Sequence, residues 1–119
     1  MLNLVDRSLG WLLIVGTLLH AYGSYLAYAF LTPTLVWAWS GSVAGLLLGA
    51  INLLRVNRPY DRSLAWVAFF GCVAWLAITC AFAATLPNPF DFRPIYHVVV
   101  GAGLAAFSLR TALRGTPAR

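Results

Sequence analysis

Two histidines, His20 and His97, are the residues whose chemistry stands out in this chain, because each falls inside a long apolar run. An ionisable side chain at bilayer depth is costly and marks a functional site by default. Gly16 and Thr17 precede His20 at helical spacing, and Gly23, Ser24 and Ala27 follow it. Such a stripe predicts that His20 points into a helix bundle. There its imidazole would bond to Thr17, Ser24 or a neighbouring helix, titrate, or ligate a metal. Val15, Leu19, Leu26 and Phe30 take the opposite face, which is expected to meet lipid. His97, Gly101, Ala105 and Ser108 form a comparable stripe. With Tyr28 at the expected depth of His97, and Tyr96, Asp91 and Arg93 beside it, they suggest an outward polar pocket.

Two histidines on different helices of a bundle can clamp a b-type haem. Met1 is the only methionine, so His20 and His97 are the sole bis-ligand pair within one chain. Counted from the expected span ends, they differ by roughly 9 Å in height. That speaks against an intrachain clamp and leaves a haem shared by two copies through two His20 side chains. A quinone or another lipophilic ligand centred on His20, with Thr17, Ser24, Tyr28, Tyr96 and His97 around it, is the wider form of the same expectation.

Other chemistry is missing. Cys72 and Cys80 stand eight positions apart on one predicted helix, about 12 Å by helical rise. That is beyond disulfide reach and matches no metal spacing, so they read as packing residues. No Ser–His–Asp set, Cys/His cluster or phosphate loop is present. The 8 basic and 3 acidic residues avoid the middles of the apolar runs. No embedded carboxylate is therefore expected to drive proton-coupled transport. These absences favour a small non-catalytic membrane module, acting as an oligomer or accessory subunit. A ligand binder around His20 is the alternative, and a small oligomeric channel or carrier a third.

The elements that must position these residues follow from bulk numbers. The chain has 119 residues, 61% hydrophobic and 9% charged, where a soluble domain carries about 25% charged residues. Four runs, roughly Leu9–Leu31, Leu35–Leu54, Leu64–Leu86 and Ile95–Leu113, approach the ~20 residues a membrane helix needs. None alternates with period two, so a barrel is excluded. The first run is too long for a signal-peptide core, and no small-residue cleavage site follows it. The expectation is an all-α integral membrane protein, one four-helix transmembrane domain over residues 1–119.

Within it, Asp6-Arg7-Ser8-Leu9-Gly10-Trp11 returns as Asp61-Arg62-Ser63-Leu64-Ala65-Trp66. Offset by 55, the pairs from Asp6 to Arg55 share 12 identities in 50, where this composition gives about 4 by chance. This reads as a tandem duplication, repeat one about 6–55 and repeat two about 61–110. Each repeat is a helical hairpin with the same orientation, which implies a pseudo-twofold along the membrane normal. Asp6 and Asp61 are expected as helix caps, Trp11 and Trp66 as interfacial anchors.

Arg7, Arg55, Arg58, Arg62, Arg110, Arg114 and Arg119 fall on one side if the helices alternate, and Arg93 alone on the other. The positive-inside rule then places both termini in the cytoplasm, in an inner membrane whose anionic headgroups meet the basic rim. Nucleic acid gains no support beyond the net charge of +5. On the second run Gly41, Gly45, Gly49 and Asn52 share a face of the small-xxx-small kind, expected to pack helices within or between chains.

Overall fold

The computed structural model describes residues 1–114. They form four helices: α1 (Leu2–Ala27), α2 (Pro33–Val56), α3 (Arg62–Ala84) and α4 (Phe92–Leu113). All four are long and apolar enough to cross a membrane. α1 packs between α2 and α4, α3 packs against the same two, and α2 touches α4 across the short diagonal.

Local chemistry explains the boundaries. Thr32, Asp61 and Asp91 are N-caps whose side chains accept from the backbone N–H of Leu35, Leu64 and Arg93, satisfying amides that a helix start leaves free. Pro33 sits in the first turn of α2, where its missing N–H is harmless. Arg93 also forms an exposed ion pair with Asp91, 2.8 Å long. The side-chain and backbone hydrogen bonds from Arg93 hold the Asp91 carboxyl down at about 2.

The start of α1 corrects the expectation for Asp6. Before Asp61 the chain reads Arg58-Pro59-Tyr60, and the proline stops helix from extending backwards. Before Asp6 stands Met1-Leu2-Asn3-Leu4-Val5, which contains no breaker, so α1 begins at Leu2 and carries Asp6 inside it. The same phrase thus caps one helix and lies within another.

Inward positions advance by alternating steps of four and three, the rhythm of a left-handed bundle. On α1 these are Asp6, Gly10, Leu13, Thr17, His20 and Ser24; on α4 they are Pro94, His97, Gly101, Leu104, Ser108 and Thr111. Leu13, Leu48, Cys72, Val100, Leu104 and Ala105 form the central core, with Phe69, Trp75 and Leu76 packed around it. Outward faces are large and apolar: Leu19, Leu26, Phe70, Ile78 and Val99 are all exposed. A soluble monomer rarely shows so much continuous apolar surface, whereas lipid accepts it.

Cross-helix bonds tie Arg7 to Asn57, Arg55 to Asp6 and Arg62 to the Ala112 carbonyl. The described arginines other than Arg93 therefore gather at one end of the bundle. Arg119 lies outside the described residues. Cys72 is buried and Cys80 exposed, both as free thiols.

Candidate functional site

Two polar regions interrupt the apolar interior. The first, at the Arg-rich end, buries a carboxylate where none was expected, near a helix end, while the middles of the four helices stay free of charged residues. Asp6 is buried, and Arg55 is 1% exposed. Arg55 Nη1 and Nη2 donate to the two Asp6 oxygens at 2.9 and 2.6 Å. Nη1 also reaches Thr111 Oγ1, while Nε and Nη2 both reach Asn52 Oδ1. Ser108 Oγ donates to the same Asn52 oxygen at 3.0 Å. Asn52 Nδ2 gives its hydrogens to the Leu48 carbonyl and, at 3.5 Å, to Cys72 Sγ. Every Arg55 N–H has a partner, so the buried charge is compensated in full. This network joins α1, α2, α3 and α4. Its saturation marks it as a clasp rather than a reactive site.

The second region is a layer near the opposite, loop-bearing end. It takes one residue from each helix: His20, Ser42, Trp75 and His97. Counting from the helix ends at that side, His20 lies seven residues in, His97 five, and Ser42 and Trp75 nine each. At 1.5 Å per residue these depths run from about 8 to 14 Å, and the two histidines differ by about 3 Å, not 9. The larger figure follows from spans bounded at Leu9 and Ile95, whereas α1 ends at Ala27 and α4 begins at Phe92.

Of the partners expected for His20, the neighbouring helix supplies the one found. His20 bonds through Nδ1 to Ser42 Oγ at 2.9 Å, and neither Thr17 nor Ser24 is its ring partner. Thr17 Oγ1 donates back to the carbonyls of Leu13 and Ile14, and Ser24 Oγ to the His20 carbonyl. Ser42 has one hydrogen and lies 3.2 Å from the Ala38 carbonyl. That hydrogen goes either to Ala38, with Nδ1–H then donating to Ser42, or to Nδ1 itself. In both tautomers Nε2 is the ring nitrogen left without a partner among the described residues. His20 sits on the inward stripe yet is exposed. The bundle is open beside it: a Cβ built on Gly23 or Gly41 would meet no atom within 4 Å.

Below the opening the packing is tight. His97 meets Trp75 and Tyr96 edge-on, with ring centroids 5.6 and 5.3 Å away. A Cβ on Gly16 would collide with Tyr96 and stand 3.2 Å from His97 Cε1, so glycine is what admits these rings. Tyr96 Oη donates 2.6 Å to the Leu12 carbonyl. Trp75 Nε1 and His97 Nδ1 are buried with no hydrogen-bond partner among the described residues. Leaving a buried polar atom unmade costs about 1–3 kcal/mol, and edge-on ring contacts offset only part of that.

The expected outward pocket around Tyr28 and His97 does not form in that shape. Tyr28 is the exposed C-cap of α1, Tyr96 reaches down to Leu12, and His97 turns to Trp75. His20 is bonded to Ser42 on α2, and His97 is wedged edge-on between Trp75 and Tyr96. A haem clamped by both within one chain would have to displace these contacts. Among the described residues, no three His, Cys, Asp or Glu side chains cluster to hold a metal ion.

The glycine row divides. Gly45 faces Thr17 and Trp75, Gly49 faces Ile14 and Gly10, and Gly41 faces open space. Asn52 lies in the Arg55 network. Sequence reasoning missed Ser42 and Trp75 as members of the layer. The signal was there: Ser42 and His97 are counterparts at the 55-residue offset, as are His20 and Trp75. Comparison with family models, curated proteins and solved structures gives no match.

Proposed function

We propose that the chain is a small, non-catalytic integral membrane protein that binds a lipophilic, hydroxyl-bearing ligand at the histidine layer, entering from the loop-bearing end. The observation that carries this reading is His20. It occupies an inward position, is fixed through one nitrogen by Ser42, and leaves the other nitrogen exposed where Gly23 and Gly41 keep the bundle open. The unpartnered Nε2 of His20 asks for a hydrogen-bond partner, and a hydroxyl, as on a quinol head group, can either donate or accept.

Contacts in matching places support the tandem duplication. The pair His20–Ser42 corresponds by the 55-residue offset to Trp75–His97. The bond from Ser24 to the His20 carbonyl corresponds to that from Thr79 to the Trp75 carbonyl. Arg7 with Asn57 corresponds to Arg62 with Ala112. In this reading the two hairpins enter the membrane with the same orientation about a pseudo-twofold, with both termini cytoplasmic. The layer has then diverged between them, keeping a polar, open face in repeat one and an aromatic, closed one in repeat two.

The competing reading, an oligomeric or accessory packing module, draws on the exposed backbone at Gly23 and Gly41. One experiment separates the two: melting temperature in mild detergent, together with absorption and native mass spectra, for wild type, His20→Gln and His20→Leu. Ligand binding predicts a retained small-molecule mass that both variants lose while His20→Gln melts within a degree or two of wild type. A Soret band would identify that mass as haem held between copies. Absence of any bound mass, with only His20→Leu melting lower, would return His20 to a packing role and favour the module.

A further inference from the structure

Arg55 and Arg110 are counterparts at the 55-residue offset and lie in the last turns of α2 and α4, yet the fold treats them oppositely. Arg55 spends five hydrogen bonds on Asp6, Asn52 and Thr111. Asp61, the counterpart of Asp6, instead caps α3 by accepting from the Leu64 N–H at 2.9 Å. Arg110 is exposed and has neither an ion pair nor a side-chain hydrogen bond among the described residues. Arg114, one turn further and also exposed, doubles the charge that is unmatched among the described residues on that face of α4.

Between these two arginines and the Asp6–Arg55 pair lies a recess of about 20 Å³, lined also by Asn3 and Thr111. That is room for one oxygen-sized atom, not a whole oxyanion. Asp6 does not repel an anion there, because each of its oxygens already receives an Arg55 N–H. Phe107 forms an apolar wall on the side toward the spans. The C-terminal dipole of α4 disfavours an anion on the helix axis, which directs it to the flank where the guanidinium groups stand.

We propose that this recess binds the phosphate of an anionic lipid headgroup, one oxygen in the cavity and the guanidinium groups of Arg110 and Arg114 on the others. Arginine forks match phosphate oxygens two at a time. The position at the end of an apolar helix, with an aromatic wall beneath, selects a lipid over a free anion. The proposal rests on the Arg-rich end lying at a membrane surface. Failure of that premise would show separately, as protein that does not insert into phosphatidylcholine nanodiscs.

The test compares melting and native mass spectra in phosphatidylcholine nanodiscs with and without phosphatidylglycerol. Wild type should retain phosphatidylglycerol adducts and melt higher when that lipid is present. Arg110→Gln with Arg114→Gln should weaken retention about tenfold, whereas Arg58→Gln, which removes a rim charge outside the recess, should keep it. Equal loss in Arg58→Gln would mean diffuse rim attraction, and full retention in the double variant would mean no site; either overturns the proposal. So would equal stabilisation by inorganic phosphate in discs of phosphatidylcholine alone, which would make the ligand a free anion. If the double variant melts low without phosphatidylglycerol, Arg114→Gln alone is judged by the same outcomes.

Discussion

Asp6 and Asp61 share the same four-residue phrase and hold opposite jobs, which makes them the sharpest comparison at the scale of single residues. Asp61 is a cap, and asparagine caps a helix about as well as aspartate. Asp61→Asn should therefore change stability by no more than about 0.5 kcal/mol. Asp6 is the counter-ion of a buried guanidinium. Asp6→Asn keeps the shape but leaves Arg55 uncompensated, which costs about 3–5 kcal/mol. Melting in detergent measures both, and equal shifts would mean that the pair is hydrated and weak. Replacing Asp6 and Arg55 together by Leu and Met should recover much of the loss, because an apolar pair of similar volume removes the stranded charge. The phrase alone did not separate the two roles. What separates them is the residue upstream: Pro59 ends helix before Asp61, while no such breaker stands before Asp6.

Helix count and approximate span were legible because lipid leaves the backbone few alternatives, and long uncharged runs announce themselves by composition. Where α1 starts was not legible, since its first two turns bear Asn3 and Asp6 and its stability there comes from tertiary bonds to α2. That His20 shares a stripe with the buried Thr17 and Ser24 could be read from spacing along one helix, but its exposure could not. Nor could its bond to Ser42, because it depends on the relative height of α1 and α2, which no local pattern encodes. The glycine row shows the same limit: four-residue spacing puts Gly41, Gly45 and Gly49 on one face without saying how far the neighbouring helix follows it. A Cβ at Gly45 would collide with Thr17 and stand 2.7 Å from Trp75 Cη2, while at Gly41 it would meet nothing within 4 Å. Gly45→Ala should thus destabilise by about 1–3 kcal/mol through overpacking. Gly41→Ala should stabilise by about 0.5–1 kcal/mol, because alanine loses less conformational entropy in a helix. A melting series on the two variants checks this, and a loss at Gly41 would place a second chain on that face.

At the scale of the whole molecule, the two ends of the bundle differ in charge and in closure. One end gathers arginines and is clasped by the Asp6–Arg55 network; the other carries Arg93, already matched by Asp91, and opens at His20. Such a division orients a protein in a bilayer, because short segments rich in arginine stay on the cytoplasmic side during insertion. Four membrane-length helices, an even number, bring both termini to the arginine side. A fluorescent protein fused after Arg119 should therefore fold and fluoresce, and alkaline phosphatase fused there should be inactive. Alkaline phosphatase placed in the loop between α3 and α4, within Pro87–Pro89, should be active. Activity at the C-terminus would require an odd number of crossings or an inverted bundle. An inverted bundle would put the open histidine end in the cytoplasm, so that any ligand would reach His20 from inside the cell.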